Sequence, residues 1–136
     1  MYKTMRLTNF ALISLAALGA VGCGSDLAFV SGTISYQGKP LDTGRITFQG
    51  SGLPMAYGEV DSSGRYTLNT GEKQGITPGT YNVAIASYEI GEITGRGNPP
   101  AAKLITPAKY ANMDTTDLKA EVVPGNNRFD FELRDE

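Results

Sequence analysis

TYNVAIASY, Thr80 to Tyr88, is the stretch that decides the fold. It alternates with a period of two, and Tyr81, Val83 and Ile85 fall on one side. β-Branched and aromatic residues at that spacing predict a half-buried strand. Pro78-Gly79 precedes it and pre-sets a turn that delivers Tyr81 to the core face. Similar segments follow on both sides, each bounded by turn signals.

Upstream, AFVSGTISY (Ala28 to Tyr36) places Val30 and Ile34 on one face, and GRITFQG does the same for Ile46 and Phe48. MAYGEV (Met55 to Val60) is a weaker segment, and RYTLNT puts Tyr66 and Leu68 together. Downstream, TDLKAEVV offers Leu118, Ala120 and Val122, and RFDFELR offers Phe129, Phe131 and Leu133 in strict alternation. Turns are predicted at QGKP (Gln37 to Pro40), where Gly38 takes positive φ and Pro40 ends pairing. Others are predicted at SGLP (Ser51 to Pro54), DSSG (Asp61 to Gly64) and PGNN (Pro124 to Asn127), with GEKQGITPG as a polar loop. Asp61 is expected to accept backbone N–H groups two residues on, with Gly64 in the left-handed region.

The pattern amounts to about seven strands at the spacing of a sandwich. Polar outward faces suit antiparallel sheets wetted on one side. No segment after Gly22 has a helical period. The exception to the pattern is Glu89 to Lys109, EIGEITGRGNPPAAKLITPAK, which reads as a plain surface excursion, a disordered loop or a binding loop.

Composition narrows the chemistry. The 136 residues suffice for one domain, and 17 Gly and 7 Pro suit a turn-rich β protein. Charge is nearly balanced, with 12 Lys and Arg against 14 Asp and Glu, and no basic patch points to nucleic acid. Histidine is absent. That removes Ser-His-Asp and Cys-His mechanisms and His-ligated metal sites. An enzyme would have to work through carboxylates, Ser-Lys or Tyr, and no such constellation is evident. Glu59-x-Asp61-x-Ser63-Gly64 resembles the start of a calcium loop, but the bidentate acid due at the twelfth position is Thr70. Asp114 and Asp117 read as a capped turn rather than a chelate. No catalytic residue, metal or cofactor is assigned.

The amino terminus reads as an export signal. Lys3 and Arg6 precede an uncharged run from Leu7 to Gly22. Its strongly apolar part, Phe10 to Val21, is short of the ~20 residues that span a bilayer. Small residues then lead to Cys23, the one cysteine in the chain. This resembles the lipobox of bacterial lipoproteins, with Ala20 where Leu is commonest. The resemblance implies cleavage between Gly22 and Cys23, a diacylglyceryl group on the Cys23 thiol, and an acylated new amino terminus. The alternative is ordinary cleavage nearby with a free thiol. Removing residues 1–22 takes away Lys3 and Arg6 and no acid, which leaves 114 residues and a formal charge of −4 against −2 for the whole chain. Such a domain is not held to an anionic surface by its own charge, so the lipid does the holding. Residues 23–26 form a tether and 27–136 the domain. Gly24 stands where some bacteria use aspartate to retain a lipoprotein in the inner membrane, which favours the outer membrane.

Several segments together resemble a known family. They are G-K-P-L at Gly38 to Leu41, D-x-x-G-x-Y at Asp61 to Tyr66, P-G-x-Y-x-V at Pro78 to Val83, and P-x-K-Y at Pro107 to Tyr110. The chain from Val30 to Leu133 is similar to short bacterial lipoproteins carrying a carboxypeptidase regulatory-like domain. That resemblance implies an all-β, seven-stranded Greek-key sandwich of prealbumin (transthyretin-like) type. It implies no activity, because fold alone does not license function. The expected function is a non-catalytic, membrane-anchored lipoprotein of the cell envelope that binds or braces a protein or glycan partner. A carbohydrate- or peptide-binding accessory to an envelope enzyme is the alternative. Among the tyrosines, Tyr66 and Tyr81 are expected in the core, and the Tyr110 ring is expected to pack while its hydroxyl finds a polar partner. Tyr88 and Arg96, beside the long loop, are the candidate contact surface.

Overall fold

A computed structural model describes residues 26–91, 97 and 101–135. Gly22, Cys23 and Arg96 therefore lie outside the described residues, as does the segment that reads as an export signal. The strands are β1 (Phe29–Tyr36), β2 (Lys39–Pro40), β3 (Arg45–Gln49), β4 (Ala56–Glu59), β5 (Arg65–Thr67), β6 (Asn69–Thr70) and β7 (Lys73–Gln74). They continue with β8 (Gly79–Ala86), β9 (Tyr88–Ile90), β10 (Ala102–Leu104), β11 (Lys119–Val122), β12 (Asn126–Arg128) and β13 (Phe131–Leu133). One helical turn, α1 (Ala108–Ala111), precedes β11.

Two sheets carry the fold. In the first, β1 is central, with β5 and β2 antiparallel along one edge and β12 and β13 parallel along the other. The second runs β11-β8-β3-β4-β6-β7, all antiparallel. The parallel edge departs from a purely antiparallel arrangement. It arises because β12 arrives from the opposite sheet through β11, so no hairpin reverses its direction relative to β1. β9 and β10 form a separate two-stranded ribbon.

The core lies between the sheets, and the alternation places it there. Val30, Ile34, Tyr66 and Leu133 from the first sheet meet Ile46, Phe48, Tyr81, Val83, Ile85, Ala120 and Val122 from the second. Phe48 bridges them, with ring centroids 5.8 Å from Tyr81, 6.1 Å from Phe129 and 6.4 Å from Phe131. The chain changes sheet at Leu68, since β5 pairs with β1 and β6 with β4. The fully buried Leu68 keeps its backbone bonded through the step: its N–H donates to Val30 O at 3.0 Å and its carbonyl accepts from Gly75 at 3.0 Å. Strands that switch sheets in this way close the corner of a sandwich. Tyr81 is fixed by its hydroxyl, which donates back to Thr77 O at 2.7 Å across the Pro78-Gly79 turn.

Several local expectations need correction. Pro40 lies within β2 opposite Ser35, at a position where the ladder asks for no N–H; the neighbouring bond runs from Leu41 N–H to Ile34 O at 3.0 Å. The polar loop after Thr70 contains β7 and the fully buried Ile76, which bridges Ala28. Asn126 and Asn127 are strand residues. The Asn127 side chain closes the preceding turn, with its Oδ1 accepting from Val123 N–H at 3.0 Å and its Nδ2 donating to Val123 O at 2.8 Å. α1 was not expected, because a single turn is too short to show a period. The segment from Glu89 to Lys109 is not a featureless excursion where it is described: β10 pairs with β9 and Thr106 is buried.

Candidate functional site

A groove of about 440 Å³ opens on the outer face of the second sheet. Its floor is Thr47 on β3 and Ala84 and Ala86 on β8. These residues alternate with the core residues Val83 and Ile85, so they point away from the core, and their small side chains leave the depression. One wall is Tyr88 and Ile90 on β9, which are 50% and 73% exposed. At i and i+2 they share a face, and Leu104 and Ala102 lie opposite them on β10, so that face of the ribbon is apolar. The other wall is Arg45 and Glu59. The Arg45 guanidinium grips Glu59 Oε1 through Nε at 2.8 Å and Nη2 at 2.7 Å and lies 5.6 Å from the centroid of the Tyr57 ring. Ala111 closes one end, where α1 packs on β8.

A second cavity, of about 400 Å³, lies on the first sheet and has the charged residues Asp61, Arg65 and Arg128 in its lining. Its charges are already engaged. Asp61 accepts from Ser63 N–H at 2.8 Å and Arg65 N–H at 3.0 Å, and these bonds hold its carboxyl below the usual range. Burial pushes Asp130 up, but the Thr33 N–H and hydroxyl together with Arg128 leave it lowered overall. Asp61 is thus a turn residue, as expected, and Gly64 beside it takes φ 80°. Asp114 sits in a turn formed with Asn112 Oδ1, and Asp117 lies 3.9 Å from Lys109 Nζ. Every described Asp and Glu is exposed, and among the described residues no three acids or cysteines gather as a metal site.

The remaining tyrosines divide as follows. Tyr66 is buried, and its hydroxyl donates to Phe129 O at 2.7 Å; burial and then the Asp130 charge push its pKa up. Tyr110 is buried with its hydroxyl 3.4 Å from Arg134 O, which gives that ring the polar partner expected of it. Tyr88 stands on the groove wall, and Arg96 lies outside the described residues. Sequence reasoning missed Ile90, Arg45 and Glu59. One signal for the groove was present in the sequence: Ala84 and Ala86 occupy outward positions of a strand whose other face is large and apolar.

The groove and the start of the domain lie at opposite ends of β8. Ala28 bridges Ile76, and Phe29 N–H donates to Gly125 O at 2.8 Å, beside the Gly79 end. The ribbon and Arg45 stand at the Ala86 end, at the far end of this 8-residue strand, which is roughly 24 Å away. No family model, no curated protein and no solved structure matches the chain. Among the described residues no helix is long and apolar enough to cross a membrane.

Proposed function

We propose that this chain is a membrane-anchored, non-catalytic lipoprotein of the cell envelope whose β-sandwich binds or braces a partner. Residues 1–22 are the export signal, Cys23 carries the lipid, and residues 23–26 tether the domain. The domain is a seven-stranded Greek-key sandwich of the prealbumin-like, carboxypeptidase regulatory-like type. Joining the interrupted strands β5 with β6, β8 with β9 and β12 with β13, beside β1, β3, β4 and β11, gives seven longer strands, to which β2, β7 and β10 are short additions. The observation that carries the functional reading is the separation of tether and groove: a lipid at the Ala28 end leaves the Tyr88 end facing away from the membrane. Exposed carboxylates, with Asp61 and Asp130 lowered rather than raised, favour a non-catalytic reading, since a general acid needs the opposite shift.

Metabolic labelling with an alkyne fatty acid tests the anchor. The wild-type chain is expected to take the label and fractionate with membranes, and Cys23→Ala to lose both properties; a labelled Cys23→Ala variant contradicts the anchor. The exposed Tyr88 ring beside an apolar floor favours a second reading, a carbohydrate-binding accessory module, because sugars stack on such rings. Glycan-array signal that disappears in Tyr88→Ala supports that reading, and a silent array counts against it.

A further inference from the structure

The strand that begins as β8 outruns its neighbour. β3 accompanies it only as far as the Arg45–Ala86 pair. There Gly44, at φ 144°, turns the chain aside, and its carbonyl accepts from Val60 N–H at 2.9 Å instead. Beyond Ala86 the chain leading into β3 meets this strand at Ser87, whose hydroxyl donates to Thr43 O at 2.7 Å, and among the described residues no strand pairs with Tyr88 or Ile90 in the lane on the β3 side.

The ladder shows which main-chain groups face that lane. Val83 N–H donates to Leu118 O at 2.9 Å, so odd-numbered residues of β8 bond toward β11 and even-numbered ones toward β3. The same parity continues. Ser87 O accepts from Ile105 N–H at 2.8 Å, Glu89 pairs with Lys103, and Gly91 N–H donates to Ala101 O at 3.3 Å. β10 therefore covers the odd side. The N–H and C=O groups of Tyr88 and Ile90 point into the vacated lane, where no described residue accepts or donates to them. The lane opens beside the groove, whose floor of Ala84 and Ala86 has room for side chains.

We infer that this edge is a strand-addition site: an extended peptide segment of a partner protein lies in the lane of β3, bonds to Tyr88 and Ile90, and drops alternate apolar side chains against the groove. Unpaired main-chain donors and acceptors recognise a peptide backbone, and pockets beside them read alternate side chains. Among the described residues the charges beside the lane balance, since Arg45 holds Glu59 and Glu89 stands opposite Lys103 in register, so neutral side chains fit. A second copy fits poorly. A two-fold pair through this edge sets β9 antiparallel to its copy and inverts one molecule against the other. Two chains anchored through Cys23 in one membrane cannot meet in that way. This last step, and the outward direction of the site, rest on the proposed anchor.

The test is selection of phage-displayed random heptapeptides on the full-length protein in detergent micelles. Selected peptides are then synthesised plain and with N-methyl groups on alternate amides. The expected peptides alternate apolar residues. N-Methylation of one alternate set weakens binding about tenfold or more, and N-methylation of the other set changes it little. Ile90→Pro removes an edge N–H that β10 does not use, and is expected to weaken binding about tenfold while Ile90→Val does not. If Ile90→Pro disturbs the ribbon by circular dichroism, the N-methyl series decides alone. Enrichment of no peptide, equal tolerance of both methylated sets, or a disulfide-trapped dimer through an Ile90→Cys edge overturns the inference. Fatty-acid labelling of Cys23 is read separately, so a labelled protein with no strand-like binder loses this inference and keeps the anchor.

Discussion

Tyr66 joins the two halves of the first sheet through one hydroxyl. Its ring is buried and stacks 6.4 Å from Phe131, and its O–H donates to Phe129 O at 2.7 Å where β12 hands over to β13. The chain approaches β1 closely at that point, since a Cβ on Gly32 would run into the same Phe129 carbonyl. Removing only the hydroxyl leaves that partly buried carbonyl without its donor. Tyr66→Phe is therefore expected to lower unfolding free energy by about 2 kcal/mol, read as a shift of the denaturant midpoint without a change in slope. No shift would mean that water replaces the hydroxyl and that the junction is wetter than its burial indicates.

At the scale of elements, the DSSG turn between β4 and β5 is held by charge as well as geometry. The Asp61 carboxylate accepts the N–H groups of Arg65 and Ser63, and its pKa is lowered. A lowered folded-state pKa stabilises the fold above the ordinary Asp range and loses that contribution as pH falls through the folded value. Stability is expected to drop between about pH 5 and pH 2, less steeply in Asp61→Asn, whose side-chain oxygen still accepts but does not titrate. Equal slopes in melts across that range would remove Asp61 from the account. Elements of this kind were the legible part of the sequence. Strict alternation in Thr80 to Tyr88 and in RFDFELR placed Tyr81, Val83, Ile85 and Leu133 in the core, and Asp61 with Gly64 announced their own turn. Elements whose pairing is decided by distant partners were not legible. Asn126 and Asn127 carry turn chemistry yet pair with β1, and Pro40 sits in a strand because that ladder position needs no donor. Of the candidate site, Tyr88 was visible because it borders the break in pattern. Arg45 and Glu59 were not, because only the register of β3 with β4 puts them face to face.

The whole molecule is organised along β8. Its Gly79 end adjoins the first described residues, and its Ala86 end carries the groove and the ribbon, so the proposed anchor and the proposed contact surface lie at opposite ends of that strand. A domain that closes its own core in this way has no need of a disulfide, and the proposal gives Cys23 to attachment. The most direct test of that arrangement is intact-mass analysis of the protein extracted from its own membranes. The account predicts a mature chain beginning at Cys23, with the mass of a diacylglyceryl group and an amide-linked acyl chain on that residue. A mature chain that begins elsewhere, or one that begins at Cys23 with a free thiol, contradicts it.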